Sequence, residues 1–205
     1  MSTLLNIGAG SIDLMNYKYH DDKVVHLDAS YRGKDEGGVA VDPCDVEHMF
    51  LYDYPSSNLI LCKSDVFDFV ERFPFKFDGV IAERIFEHME YVNGSIGRLL
   101  EGLNRITTPS ATLSIVVPNM ILVSKMLLAY EDNTDQLDHT AQLNYKLIIN
   151  TEYTNMKADS HASVWTPKLA HEYIESEGTW KISELDEQIM FANRNIYMRI
   201  KCVKP

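Results

Sequence analysis

Two glycines and one carboxylate carry the first chemical signal in this sequence. A short apolar run, Thr3 to Ile7, leads directly into Asn6-Ile-Gly8-Ala9-Gly10. Glycines at such a turn let the main chain approach a ligand closely, and free amides at a helix start favour an anionic group such as a carboxylate or phosphate. A second apolar run ends in His26-Leu-Asp28-Ala29-Ser30. Asp28 thus follows Gly8 by about twenty residues, the distance at which a carboxylate at the end of a second strand accepts both hydroxyls of a ribose. Together these features point to an adenosine-containing ligand. A nicotinamide dinucleotide is disfavoured, because the GxGxxG frame starting at Gly8 has Asp13 where a third glycine would let helix and strand pack. An NTPase is disfavoured as well: there is no GxxxxGK[ST] cradle and no lysine placed to reach a β or γ phosphate.

The elements that must position these groups read as alternating βα units on a parallel sheet. Strand-like runs occur at Thr3–Ile7, Lys23–Leu27, Asn58–Cys62, Asp78–Ala82 and Thr112–Val117. A crossover helix is expected from about Tyr91 to Ile106, where Ile96, Leu99, Leu100, Leu103 and Ile106 share one face. Another is expected at Val66–Arg72. After Pro118 the rhythm breaks: Ile121–Tyr130 reads as an apolar helix and Glu131–Asp138 as an acidic exposed loop. A further helix starts at Thr166-Pro167, a hydroxyl N-cap with proline in the first turn, and ends at Gly178. The tail alternates from Asn195 to Val203, as an antiparallel or edge strand would, and Arg194, Arg199, Lys201 and Lys204 read as its edge-protecting face.

Composition bounds the class. With 205 residues, 45% hydrophobic and 24% charged, the chain suits one compact domain spanning residues 1–205, with 119–165 as an insertion. The net charge of −11 removes the usual driving force for binding duplex nucleic acid or anionic lipid. Cys44, Cys62 and Cys202 are odd in number and lack CxxC spacing, which speaks against a disulfide framework or a zinc ribbon and for a reducing cytoplasm. No apolar stretch approaches membrane-span length, and the first residues lack a leader pattern, so a soluble, unprocessed cytoplasmic protein is expected.

From about Leu4 to Asn119 the sequence resembles the class I S-adenosylmethionine-dependent methyltransferases, most closely the small bacterial and phage branch that reads Leu-Asn-Ile-Gly-x-Gly at its first strand. Cys62-Lys-Ser-Asp65-Val66 resembles the turn after the third strand, where an acidic residue takes the adenine amino group and the next amide a ring nitrogen. Phe77-Asp-Gly-Val-Ile-Ala-Glu83-Arg-Ile-Phe-Glu87-His88 resembles the fourth strand and the Glu-His helix start that faces the methionine part of the cofactor. Ile106 to Pro118 resembles the turn into the fifth strand. Three positions depart from the pattern: Asn6 replaces the usual acidic residue, Ser11 the third glycine, and Pro109-Ser110-Ala111 the Pro-Gly-Gly turn. The stretch from Tyr31 to Pro43 is longer than the minimal fold needs and reads as a mobile loop near the adenosine.

The resemblance implies an α/β, Rossmann-like fold: a seven-stranded, mostly parallel sheet with an antiparallel last strand and helices on both faces. It implies S-adenosylmethionine as cofactor, held by Asn6, Gly8, Ala9, Gly10, Asp28, Ala29, Asp65, Val66, Glu83 and Glu87. His88 and His161 are the catalytic candidates, with His139 a further candidate base, and no metal is expected. The 119–165 insertion would cover the site and select the acceptor. An acidic chain, without an Asn/Asp-Pro-Pro-Tyr sequence at Ala82-Glu-Arg-Ile85, points to a small-molecule, nucleotide or sugar acceptor, with no duplex nucleic acid and no membrane as partner. Bland readings stand beside these. Asp65 is a good N-cap for the helix after it, His88 and His161 are candidates for structural or solvated histidines, and Trp165 reads as a hydrophobic anchor. The rival function is a non-catalytic binding or assembly module that keeps the methyltransferase fold.

Overall fold

The computed structural model describes residues 2–8, 23–29, 39–41, 50–54, 59–91, 93–131, 161–176, 178–191 and 194–205. These build one nine-stranded sheet from β1 (Thr3–Ile7), β2 (Lys23–Leu27), β3 (Val39–Val41), β4 (Phe50–Tyr54), β5 (Leu59–Lys63), β6 (Phe77–Glu83), β7 (Thr107–Pro118), β8 (Lys181–Phe191) and β9 (Arg194–Val203). The order across the sheet is β3-β4-β5-β2-β1-β6-β7-β9-β8. β5, β2, β1, β6 and β7 are parallel, and β9 runs antiparallel to both β7 and β8. The expected seven-stranded sheet is therefore present, with its antiparallel last strand.

Two features differ from the sequence reading. First, β3 and β4 extend the sheet past β5 as antiparallel strands, so Val39–Val41 lies in the sheet although Tyr31–Pro43 reads as a loop. The short Val-Ala-Val run pairs with the aromatic-rich Phe50–Tyr54, residue types that suit a pleated surface. Second, β9 is an interior strand. Lys201 within it and Lys204 just after it do not guard an edge: Lys201 Nζ bonds Glu184 Oε2 at 2.7 Å, and Lys204 Nζ donates to the carbonyls of Asn104 and Thr107 at 2.7 and 2.9 Å. The edge is β8.

Helices cover both faces. α1 (Val66–Arg72) starts on Asp65, whose Oδ1 accepts from the amides of Phe67 and Asp68. α2 (Ser95–Arg105) buries Ile96, Leu99, Leu100 and Leu103 completely, the face the periodicity predicts. It begins later than Tyr91 because Gly94 takes a left-handed φ of 75°, and Asn93 Oδ1 receives the Ser95 amide at 3.0 Å. α3 (Met120–Glu131) is capped by Asn119 Oδ1, which accepts from Ile121. α4 (Pro167–Glu175) has Thr166 Oγ1 receiving the Leu169 amide, as read, and ends before Gly178. The main core joins α1, α2 and α4 to the sheet, while Val123 of α3 packs with Val116, Ile196 and Tyr197 in a second, smaller cluster. Glu131 of the expected acidic loop ends α3, and residues 132–160, including the rest of that loop and His139, lie outside the described residues. No helix among the described residues is long and apolar enough to cross a membrane.

Two expected outcomes follow from packing and burial. A Cβ on Gly102 would stand 2.3 Å from Val70 Cγ2, so α1 and α2 meet at a contact that excludes a methyl group. Gly102→Ala should destabilise the protein by about 1–2 kcal/mol despite its higher helix propensity, and a double-mutant cycle with Val70→Ala should show a coupling of about 1 kcal/mol in chemical denaturation. On β2, His26 is buried, Nδ1 has no hydrogen-bond partner among the described residues, and burial pushes its pKa down to about 4. The unfolded chain therefore takes up this proton first as pH falls. The neutral-pH stability credited to His26 should be lost between about pH 6.5 and 4, up to about 3 kcal/mol, relative to a His26→Leu variant measured in parallel.

Candidate active site

Parallel pairing delivers the strand ends to one edge of the sheet. Ile7 pairs with Leu27 and with Ala82, and Leu27 pairs with Cys62, so Gly8, Asp28, Ser64-Asp65 and Glu83 emerge side by side. Main-chain bonds continue the ladder past the strands: Gly8 N donates to Leu27 O at 2.8 Å, Asp28 N to Cys62 O at 3.1 Å and Arg84 N to Val116 O at 2.8 Å. β2 lies on one side of β1 and β6 on the other, which makes the gap above β1 the topological switch point, where open α/β sheets bind ligands.

Gly8 is a glycine for two reasons. Its φ is +68°, and a Cβ there would fall 2.0 Å from Ile85 Cδ1. Ile85 itself follows Arg84, which holds a left-handed φ of 58° without being glycine. Such strain persists where the surrounding structure over-determines it. Nothing in the sequence marks Arg84.

The other sequence candidates fall out as follows. Asn6 is buried within β1, Asp28 is half-buried, and Ala29 is exposed beside it. Ala9 and Gly10 lie outside the described residues. Asp65 is exposed and realises its capping role through Oδ1, with Val66 as the first residue of α1. Glu83 closes β6 and is half-buried.

Glu87, His88 and His161 meet in a cluster that sequence distance hides. Phe86–His88 forms one 3-10 turn after β6, with Phe86 fully buried and edge-on to Trp165 at 5.9 Å. The segment before α4 is clamped onto this turn: the amides of Ala162 and Ser163 both donate to the Glu87 carbonyl, at 2.7 and 3.0 Å, and Ser163 Oγ donates to the Phe86 carbonyl at 3.0 Å. Trp165 Nε1 donates to Ser163 Oγ, and the Trp165 carbonyl receives the Met120 amide that opens α3. Trp165 is thus the buried anchor. Ser163 and Asn119 were missed by sequence reasoning, since a lone serine or asparagine carries no pattern until its partners are known.

The clamp brings the His88 and His161 rings to 5.1 Å, nearly perpendicular. Burial pushes the Glu87 carboxyl up to about 8, against its own main-chain amide and Arg84, which favour the charged form. Burial pushes His161 down to about 4, reinforced by His88 and Arg84. At neutral pH His161 is a neutral imidazole: a weak proton acceptor but a ready lone-pair donor. A cavity of about 60 Å³ opens beside it, lined by Glu87, Pro118, Met120, His161, Ser163 and Trp165 among others.

No protein-family profile and no curated protein sequence matches the chain. Solved structures do. The 1,6-didemethyltoxoflavin-N1-methyltransferase of Burkholderia thailandensis, with its substrate and S-adenosylhomocysteine bound, matches 99% of this chain and 71% of its own at 13% identity and a TM-score of 0.57. The N-methyltransferase NodS of Bradyrhizobium japonicum matches 100% and 86% at 8% identity and 0.55. A 16S rRNA (adenine(1408)-N(1))-methyltransferase variant from Catenulisporales acidiphilia matches 100% and 85% at 14% and 0.50. The chain has the methyltransferase fold. It spans about half the length of two further proteins matched, the pyocyanin biosynthetic protein PhzM and the calicheamicin methyltransferase CalO1. At these identities the likeness is one of architecture, and it fits the sheet order and the switch-point crevice described above.

Gly8→Ala should cost about 2–3 kcal/mol in chemical denaturation, combining the left-handed backbone with the Ile85 clash. In an Ile85→Ala background the same substitution should cost only the backbone share, about 1–2 kcal/mol.

Proposed function

We propose that this chain transfers the methyl group of S-adenosylmethionine to a small-molecule, nucleotide or sugar acceptor. The observation that supports this most is the convergence of Gly8, Asp28, Asp65 and Glu83 on one sheet edge, at the switch point of a methyltransferase fold. Solved neighbours of this fold hold S-adenosylmethionine or its demethylated product, including human N-acetylserotonin methyltransferase and CalO1.

The donor set present fits the cofactor. Asp28 at the end of β2 suits the two ribose hydroxyls. Asp65 uses Oδ1 for both capping bonds, which leaves Oδ2 for the adenine amino group, while the Val66 amide suits a ring nitrogen. The main chain at Gly8 lies at the same edge as these groups, and Glu83 suits the ammonium of the amino-acid part. When bound, the cofactor supplies a methyl group already activated on a sulfonium. What remains for the protein is to orient the acceptor, an effect worth roughly 7–11 kcal/mol. His161 lines the cavity beside this edge, with the His88 ring against it at 5.1 Å, and the two are the groups suited to position an acceptor there. The ends of the 119–165 insertion, α3 and the 161–165 segment, border the same cavity, in keeping with a role in acceptor choice.

Calorimetric titration should give micromolar Kd values for S-adenosylmethionine and S-adenosylhomocysteine and no heat with NADH. Asp28→Ala should weaken both by about 10- to 100-fold, the worth of hydrogen bonds to a charged group. Absence of binding at millimolar concentration by the wild-type chain overturns the reading in favour of a non-catalytic module, and undiminished affinity in Asp28→Ala removes the assigned ribose contact.

A further inference from the structure

We propose that Glu87, His88 and His161 form a binding site for one divalent transition-metal ion of the zinc type. The site does not depend on the methyl-transfer reading. The carboxylate and the two imidazoles offer ligand atoms that all lie within 4.8 Å of one another. Ligands bound at zinc-like lengths of roughly 2.0–2.2 Å stand about 3–4 Å apart, so closure onto an ion requires about an ångström of side-chain rotation.

A second, independent observation points the same way. Glu87 is 1% exposed, and its Oε2 has no hydrogen-bond partner among the described residues. A buried carboxyl oxygen without a donor is costly, and a cation is the partner that its lone pairs, together with two imidazole nitrogens, are suited to share. The scaffold is also built rather than fortuitous. The two amides on the Glu87 carbonyl and the Ser163 hydroxyl on the Phe86 carbonyl hold the two ligand-bearing segments against each other. Ligands held in advance by packing and main-chain bonds are the usual condition for a precise metal site.

The chemistry selects the ion class. Two nitrogens and one carboxylate favour Zn²⁺, Co²⁺ or Fe²⁺ over Mg²⁺ and Ca²⁺, which prefer all-oxygen shells. Three protein ligands leave at least one coordination position open, and the adjoining cavity of about 60 Å³ has room for water or for an oxygen of a bound molecule to fill it. This is the pattern of an open site rather than a closed structural one.

The test uses the full chain, stripped by dialysis against a chelator and free of any adenosyl ligand. Zn²⁺ is titrated by calorimetry and Co²⁺ by visible absorption. One equivalent should bind with a low-micromolar or tighter Kd. Glu87→Gln and His161→Gln should each weaken binding by about tenfold or more, whereas His171→Gln, an exposed histidine of α4, should leave it unchanged. A readout that needs no variant is paramagnetic broadening by Mn²⁺, expected at the amides of residues 86–88 and 161–163 of the wild-type chain. The proposal is overturned by the absence of one-equivalent binding at about 100 μM metal, by unchanged affinity in a folded His161→Gln, by broadening elsewhere, or by equal competition from Mg²⁺. Because no adenosyl ligand is used, failure here leaves the methyl-transfer reading standing, and failure of cofactor binding leaves this one standing.

Discussion

Parallel pairing of β1 with β2 on one side and β6 on the other is the constraint from which the site follows. Strands that run the same way release the chain at the same edge, so groups from four separate segments arrive together. The β1–β6 register also brings Ile85 over Gly8, and that contact allows no side chain on Gly8. Glycine at this position is therefore a packing requirement between two strand ends.

A second layer of order is built on the first. The 3-10 turn after β6 is held by the segment before α4, whose two amides bond the Glu87 carbonyl and whose Ser163 hydroxyl joins the Met89 amide on the Phe86 carbonyl. Trp165 then ties this clamp to the start of α3 and to Tyr173 of α4, its ring edge-on to both aromatic neighbours. The region in which acceptor specificity is proposed to reside is thus anchored at both described ends by main-chain bonds and a single buried indole. Burying Glu87 beneath this clamp is unfavourable for folding taken alone, which is common where a group is kept for chemistry rather than stability.

Much of the architecture was legible in the sequence because local chemistry and global fold agree. Asp65 followed by an apolar run gives α1 its observed bounds, and Thr166-Pro167 gives α4 its start, since caps act within one turn. The strands β1 and β2 read to the residue because both are buried apolar runs. Legibility failed where the deciding partner is remote. Val39–Val41 is short and follows a glycine-rich stretch, so its strand character comes from pairing with Phe50–Tyr54. The interior place of β9 comes from β8, whose mixed exposure gives no clean alternation. Gly8 and Asp28 were found by motif spacing, and the resemblance supplied Asp65, Glu87 and His88. Their union with His161 depends on the Ser163 clamp, which no sequence interval encodes.

The position of β9 bears on how the chain is assembled. Seven registered pairs tie it to β7, from Thr112–Val203 to Pro118–Tyr197, and on its other side it carries β8. Because β8 and β9 are consecutive and antiparallel, they can form a local hairpin before either meets the rest of the sheet. During synthesis β7 is complete long before that hairpin exists, and it must wait with one hydrogen-bonding edge unpaired. The β8–β9 hairpin therefore acts as the closing piece of a sheet whose parallel strands are already in place, and the interval before it docks is the period in which a nascent chain of this topology is most open to mispairing.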